Sequence, residues 1–87
     1  MEPRLKRLLF RARHMGSNEN DLLFGGFAER YLERLSPEQC ERFETLIAEN
    51  DTDLYDWVTG KRPPPSCFDH DVMALIQNFV QKEASRH

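Results

Sequence analysis

The sequence predicts an all-α protein, a compact five-helix bundle in a single domain. Apolar residues recur at three- and four-residue spacing along five segments. Helix-starting and helix-stopping residues lie between those segments, and no stretch alternates apolar and polar residues with the period of a strand. At 87 residues the chain has material for one hydrophobic core, so residues 1–87 are read as one unit. Charged residues at 31% and hydrophobic residues at 39% fit a folded globular chain rather than a disordered one.

Pro3 suits a first helical position, and Leu5, Leu8, Leu9 and Ala12 follow at helical spacing, which predicts a first helix over 3–14. Gly16-Ser17-Asn18 then breaks the chain, because glycine serves a helix C-terminus and Ser or Asn caps the next helix. A second helix is expected over 19–35, with Phe24, Phe27, Ala28, Tyr31, Leu32 and Leu35 as its apolar stripe. Gly25-Gly26 inside it costs about 1 kcal/mol per glycine relative to alanine. Two readings of that pair are open: close approach by another helix or a partner, or a local kink. Ser36-Pro37-Glu38-Gln39 is a strong helix start, with Ser36 as cap, Pro37 preset in angle and Gln39 where a capping box needs it.

The third helix should bury Cys40, Phe43, Leu46 and Ile47. Asn50-Asp51-Thr52 ends it and caps a short fourth helix carrying Leu54, Tyr55, Trp57 and Val58, which Gly60 stops. Lys61-Arg62-Pro63-Pro64-Pro65 reads as a stiff extended connector. Ser66 is then expected to cap a last helix, with Phe68, Val72, Leu75, Ile76, Phe79 and Val80 facing inward. The polar tail 81–87 is expected to fray.

Charge is unevenly distributed. Residues 1–16 hold Arg4, Lys6, Arg7, Arg11 and Arg13 against Glu2 alone, so the net charge of −3 is carried by an acidic remainder. A basic first helix on an acidic body either steers a partner or is a solvated face. The acidic balance argues against nucleic acid as a partner. No apolar run approaches the roughly 20 residues of a membrane span, so no insertion into a membrane is expected. The N-terminus lacks the apolar centre and cleavage site of a secretory signal, and Cys40 and Cys67 show no paired spacing, so no disulfide is expected.

Asp69-His70-Asp71 invites a metal or triad reading, but neighbours on a helix point about 100° apart and cannot converge. First-turn acids are expected from the helix dipole alone. No HExxH, paired Cys/His set or glycine-rich phosphate loop is present, and Ser17 and Ser66 read as caps. No catalytic residue and no metal site is therefore expected.

Two features ask for more than packing. The polar stretch Met15-Gly16-Ser17-Asn18-Glu19-Asn20-Asp21, between a basic and an apolar helix, suits a docking surface. The run Asp53-Leu54-Tyr55-Asp56-Trp57 holds residue types favoured at binding hot spots, although core packing is the stronger reading of Trp57.

The segments Arg7-Leu8-Leu9-Phe10-Arg11-Ala12-Arg13, Gly16 through Phe27, Leu54-Tyr55-Asp56-Trp57, the turn at 61–64 and Val72-Met73-Ala74-Leu75-Ile76 stand in a specific order and spacing. With them the chain resembles the succinate dehydrogenase assembly factors, the bacterial SdhE type and its mitochondrial counterparts, over nearly its whole length. The resemblance implies a five-helix bundle that promotes covalent attachment of FAD to a histidine of the succinate dehydrogenase flavoprotein subunit, with related fumarate reductase subunits as further clients. The hallmark of that family is Arg-Gly-x-x-Glu at the start of the second helix. Here Gly16 and Glu19 match, and Met15 stands where the family has arginine. Arg13 lies about 200° round a helix from that position and is not a simple replacement.

The resemblance and the polar stretch together place partner binding on Arg11, Arg13, His14, Met15, Gly16, Ser17, Asn18, Glu19 and Asp21. They imply a non-enzymatic factor, monomeric when free, that holds no FAD stably because the flavin belongs to the client. Its compartment would be the bacterial cytoplasm, or the mitochondrial matrix in a eukaryote. The rival reading is a generic helical adaptor or regulator that uses the same surface for another protein.

Overall fold

The computed structural model describes residues 1–84 and consists of five α-helices: α1 (Pro3–Arg13), α2 (Asn18–Tyr31), α3 (Pro37–Leu46), α4 (Asp51–Thr59) and α5 (Asp71–Ala84). Two short 3-10 turns, Leu32–Arg34 and Ser66–Phe68, join them, and no strand forms among the described residues.

The boundaries follow capping chemistry. Ser17 accepts from the Asn20 N–H at the start of α2. The Ser36 hydroxyl accepts from the Gln39 N–H at 3.2 Å while Gln39 Oε1 accepts from the Ser36 N–H at 2.9 Å, which is the capping box expected at α3. Asn50 caps α4 by accepting from Thr52 and Asp53, and Gly60 ends α4 in the left-handed region at φ 84°. Arg62 then grips Asp53 at 2.6 Å and Asp56 at 2.9 Å, tying the proline connector back to α4.

Three expected boundaries differ. Helix α2 ends at Tyr31, and Leu32–Arg34 tighten into a 3-10 turn before Leu35 and Ser36 extend. That tightening still buries Leu32 while freeing Ser36 for the extended angles its cap requires. Second, Ser66 opens the 3-10 turn Ser66–Phe68 instead of capping α5. Phe68 is used to stack on Trp57, ring centres 5.5 Å apart, so the chain must bend at Asp69 before a helix can start. The cap of α5 is His70, whose Nδ1 accepts from the Met73 N–H at 3.1 Å. Third, residues 81–84, expected to fray, continue α5, and 85–87 lie outside the described residues.

The core gathers around Phe27, whose ring lies 4.9 Å from Tyr31, 5.7 Å from Phe43 and 6.0 Å from Phe79, so α2, α3 and α5 meet there. Leu8 and Ala12 of α1, Leu54 and Val58 of α4, and Ile76 of α5 complete it, together with Met73, which the expected stripe omitted. Trp57 is buried at 6% exposure, which settles its core role. The glycine pair has a packing reason. A Cβ on Gly25 would stand 3.1 Å from Arg13 Cγ and 3.4 Å from Arg13 Cα, so α1 crosses α2 at that point. A Cβ on Gly26 would stand 3.2 Å from the Phe79 ring of α5.

Candidate functional site

The corner between α1 and α2 is shorter and more constrained than a polar linker. Only residues 14–17 lie outside the helices, and Asn18–Asp21 form the first turn of α2. His14 closes α1, stacks on Phe10 at 4.1 Å and donates from Nδ1 to the Phe10 carbonyl at 2.7 Å. A carbonyl can only accept, so Nδ1 carries the proton in that contact. The Met15 N–H donates to the Asp21 carboxylate, and the Met15 side chain is half-buried against the core. Gly16 takes φ 111°, and a Cβ there would meet Asp51 Oδ2 at 2.7 Å. Side chains resist that backbone angle, and the Asp51 carboxylate would have to turn aside to admit one.

Beyond Gly16 the corner meets the start of α4. Asn20, fully buried, donates from Nδ2 to the Asp51 carbonyl at 2.9 Å, and its amide lies 3.5 Å from Asp51 Oδ1. Ser17, Glu19, Asp51, Thr52 and Tyr55 line a recess of about 280 Å³. Glu19 is exposed and makes no ion pair among the described residues. Glu19 and Tyr55 also border a larger apolar groove of about 530 Å³, where Gly26 and Phe79 form part of the wall and Leu22 stands 76% exposed.

The structure thus gathers Met15, Gly16, Ser17, Asn18, Glu19 and Asp21 at one corner, while the basic residues point elsewhere. Arg11 pairs with Glu44 of α3 at 3.3 Å, and Arg13 pairs with Glu29 of α2 at 2.7 Å. Arg13 therefore does not reach the position where the family has its arginine. Both pairs are exposed, a class worth roughly 0–1 kcal/mol, so an incoming acid can exchange with them. Lys6 and Arg7 make no ion pair among the described residues. Sequence reasoning placed Asn20 in the docking stretch and Asp51 at the start of the fourth helix but missed the burial of Asn20 and its contact with Asp51. The available signal was an asparagine four residues before Phe24, on the apolar stripe itself.

No arrangement suited to covalent chemistry accompanies the corner. Both cysteines are free; Cys40 is buried, and desolvation pushes its thiol above the ordinary value, which makes it a poor nucleophile. Among the described residues no three His, Cys, Asp or Glu side chains are grouped to hold a metal ion, and no helix is long and apolar enough to cross a membrane. His70 is used as a cap, and Asp71 holds Gln39 at 3.0 Å and Arg42 at 3.1 Å.

The chain is, by class, a small helical bundle whose most distinctive polar feature is a fixed surface corner. Residues 6–80 match the family model for the flavinator of succinate dehydrogenase, Sdh5, and the chain belongs to that family. It is 40% identical to the mitochondrial succinate dehydrogenase assembly factor 2-A of Drosophila sechellia, over 99% of this chain and 53% of that protein. It is 39% identical to the assembly factor 2-B of Drosophila ananassae, again over 99% of this chain and 53% of that protein. The chain therefore spans about half the length of the curated relatives it matches.

Proposed function

We propose that this chain is an assembly factor that promotes covalent attachment of FAD to the flavoprotein subunit of succinate dehydrogenase, docking that client through the α1–α2 corner. The observation that carries the reading is the state of the two family-motif positions. Gly16 is held at positive φ against Asp51, and Glu19 stands beside it, exposed and without an ion pair among the described residues. A glycine in a Gly-only conformation next to an uncommitted carboxylate suits close approach by a partner backbone and a hydrogen bond or ion pair from it.

The flavin belongs to the client in this account. Glu19 and Asp51 edge the corner recess with negative charge, which opposes a dinucleotide's pyrophosphate, and the chain has no glycine-rich phosphate loop. Attachment requires the isoalloxazine held against the client's histidine, with charge developing on the ring stabilised. The factor contributes by binding the attachment-competent conformation of the client more tightly than others, which needs no acid, base or nucleophile of its own. Lys6 and Arg7 on α1 would orient the client electrostatically. Related fumarate reductase subunits are proposed as further clients, and a free monomer as the binding form. The factor would work wherever its client folds: the mitochondrial matrix in a eukaryote, as the relatives' names indicate for them, or the cytoplasm of a bacterium.

A generic helical adaptor remains the rival, favoured by Met15 in the motif arginine's place and by the exposed Leu22 beside the groove. In-gel flavin fluorescence of the client, produced with and without this protein, separates the two. An assembly factor raises covalent flavin in the client band, and an adaptor leaves it unchanged.

A further inference from the structure

We propose that Asn20 is the positioning residue of the docking corner, tying the start of α2 to the start of α4 through Asp51 and so fixing where Glu19 is presented. The inference rests on the docking role of Glu19 proposed above.

Geometry comes first. Asn20 is fully buried, and its Nδ2 donates to the Asp51 carbonyl at 2.9 Å, 31 positions away in sequence. Its backbone N–H is held by Ser17 Oγ at 3.2 Å. Glu19 lies between these two anchors in the first turn of α2, so a change in that turn's position moves Glu19 with it. Asp51 also borders the other motif position, because its Oδ2 lies 2.7 Å from where a Cβ on Gly16 would stand. One residue of α4 therefore meets Gly16 and Asn20, which flank Glu19 in sequence.

Energetics supply the second argument. Position 20 continues the inward stripe of Phe24, Phe27 and Ala28. Asn20 Oδ1 is buried and makes no hydrogen bond among the described residues. A buried acceptor without a partner is unfavourable, and an apolar side chain of similar volume would avoid that cost. Stability alone does not account for an asparagine here, whereas a directional link to Asp51 does.

The test is a double-mutant cycle on the full chain, binding the apo flavoprotein subunit of succinate dehydrogenase, with amide hydrogen exchange on the free protein beside it. Asn20→Leu should retain cooperative thermal unfolding, weaken binding roughly tenfold, and weaken it little further in a Glu19→Ala background. That corresponds to a coupling of about 1.4 kcal/mol. Exchange should rise at residues 15–19 and stay unchanged in α3 and α5. Unchanged binding, or a loss that adds fully to that of Glu19→Ala, overturns the positioning role. If Glu19→Ala also leaves binding intact, the docking role of Glu19 falls with it. If the wild-type chain does not bind this client, only the client assignment fails, and exchange at 15–19 decides for Asn20. Should Asn20→Leu not fold, Asn20→Ala replaces it in the same cycle and must couple to Glu19 in the same way, since the link runs to the Asp51 backbone carbonyl and only a change at position 20 removes it.

Discussion

Replacing Gly16 with alanine isolates the two constraints acting on the corner. The first is backbone angle: at φ 111° an alanine sits in a sparsely populated region, at a cost of about 1–3 kcal/mol. The second is contact, since the new Cβ would meet Asp51 Oδ2 at 2.7 Å. Gly60 provides the internal control. It also has positive φ, at 84°, but a Cβ there meets nothing within 4 Å. Gly60→Ala should therefore cost only the angle, about 1–2 kcal/mol. The clashing oxygen is the far end of the Asp51 side chain and can turn aside, so Gly16→Ala should cost the angle plus a small excess, and Asp51→Ala should remove that excess. For a domain of 60–100 residues each kcal/mol moves Tm by about 4–8 °C, so differential scanning calorimetry resolves the series. Both glycine variants should fold at 25 °C, and only Gly16→Ala should lower flavin attachment to the client. Equal destabilisation at the two glycines, with Asp51→Ala making no difference at Gly16, would refute the steric argument.

Trp57→Ala should destabilise by about 3–5 kcal/mol, seen as a lower urea midpoint, because its ring is buried and stacked on Phe68. His70→Ala should cost about 0.5–2 kcal/mol, the value of an N-cap, and leave client flavinylation intact; a loss of flavinylation with the fold preserved would revive a proton-transfer role for that ring. Asp71 is held below the ordinary carboxylate value, first by the Gln39 hydrogen bond and then by the Val72 N–H and Arg42, with desolvation opposing. A folded-state value below the unfolded one gives stability that is present above the unfolded value of 3.8 and lost as pH falls through the folded one. Stability measured from pH 5 down to pH 2 should therefore fall less steeply in Asp71→Asn.

The helices were legible because their ends carry local chemistry. Ser36 with Gln39, Asn50 before α4 and Gly60 after it act within three or four residues, so their sequence spacing is their spatial spacing. The start of α5 was not legible, because Phe68 answers to Trp57 and the bend that follows hands capping from Ser66 to His70. The corner divides the same way. Gly16, Ser17, Glu19 and Asp21 are near one another in any fold that turns there. The contacts of Asn20 and Gly16 with Asp51 depend on α4 packing against the start of α2, which no local pattern announces. The pairing of Arg11 with Glu44 and of Arg13 with Glu29 was not legible, because those partners lie 33 and 16 positions away.

The central claim is that an exposed carboxylate at position 19 works on a client rather than on the helix that carries it. As a first-turn acid, Glu19 is worth about 0.3–1 kcal/mol to α2, so Glu19→Ala should shift Tm only slightly. The decisive measurement is covalent flavin in the succinate dehydrogenase flavoprotein subunit, read by in-gel fluorescence after expression with wild-type chain, Glu19→Ala or Met15→Arg at equal protein levels. The account predicts bright client bands with wild type and with Met15→Arg, which completes the family motif, and a weak band with folded Glu19→Ala. A full-strength band with Glu19→Ala, together with loss of signal in Met15→Arg, would contradict it and move the docking surface away from this corner.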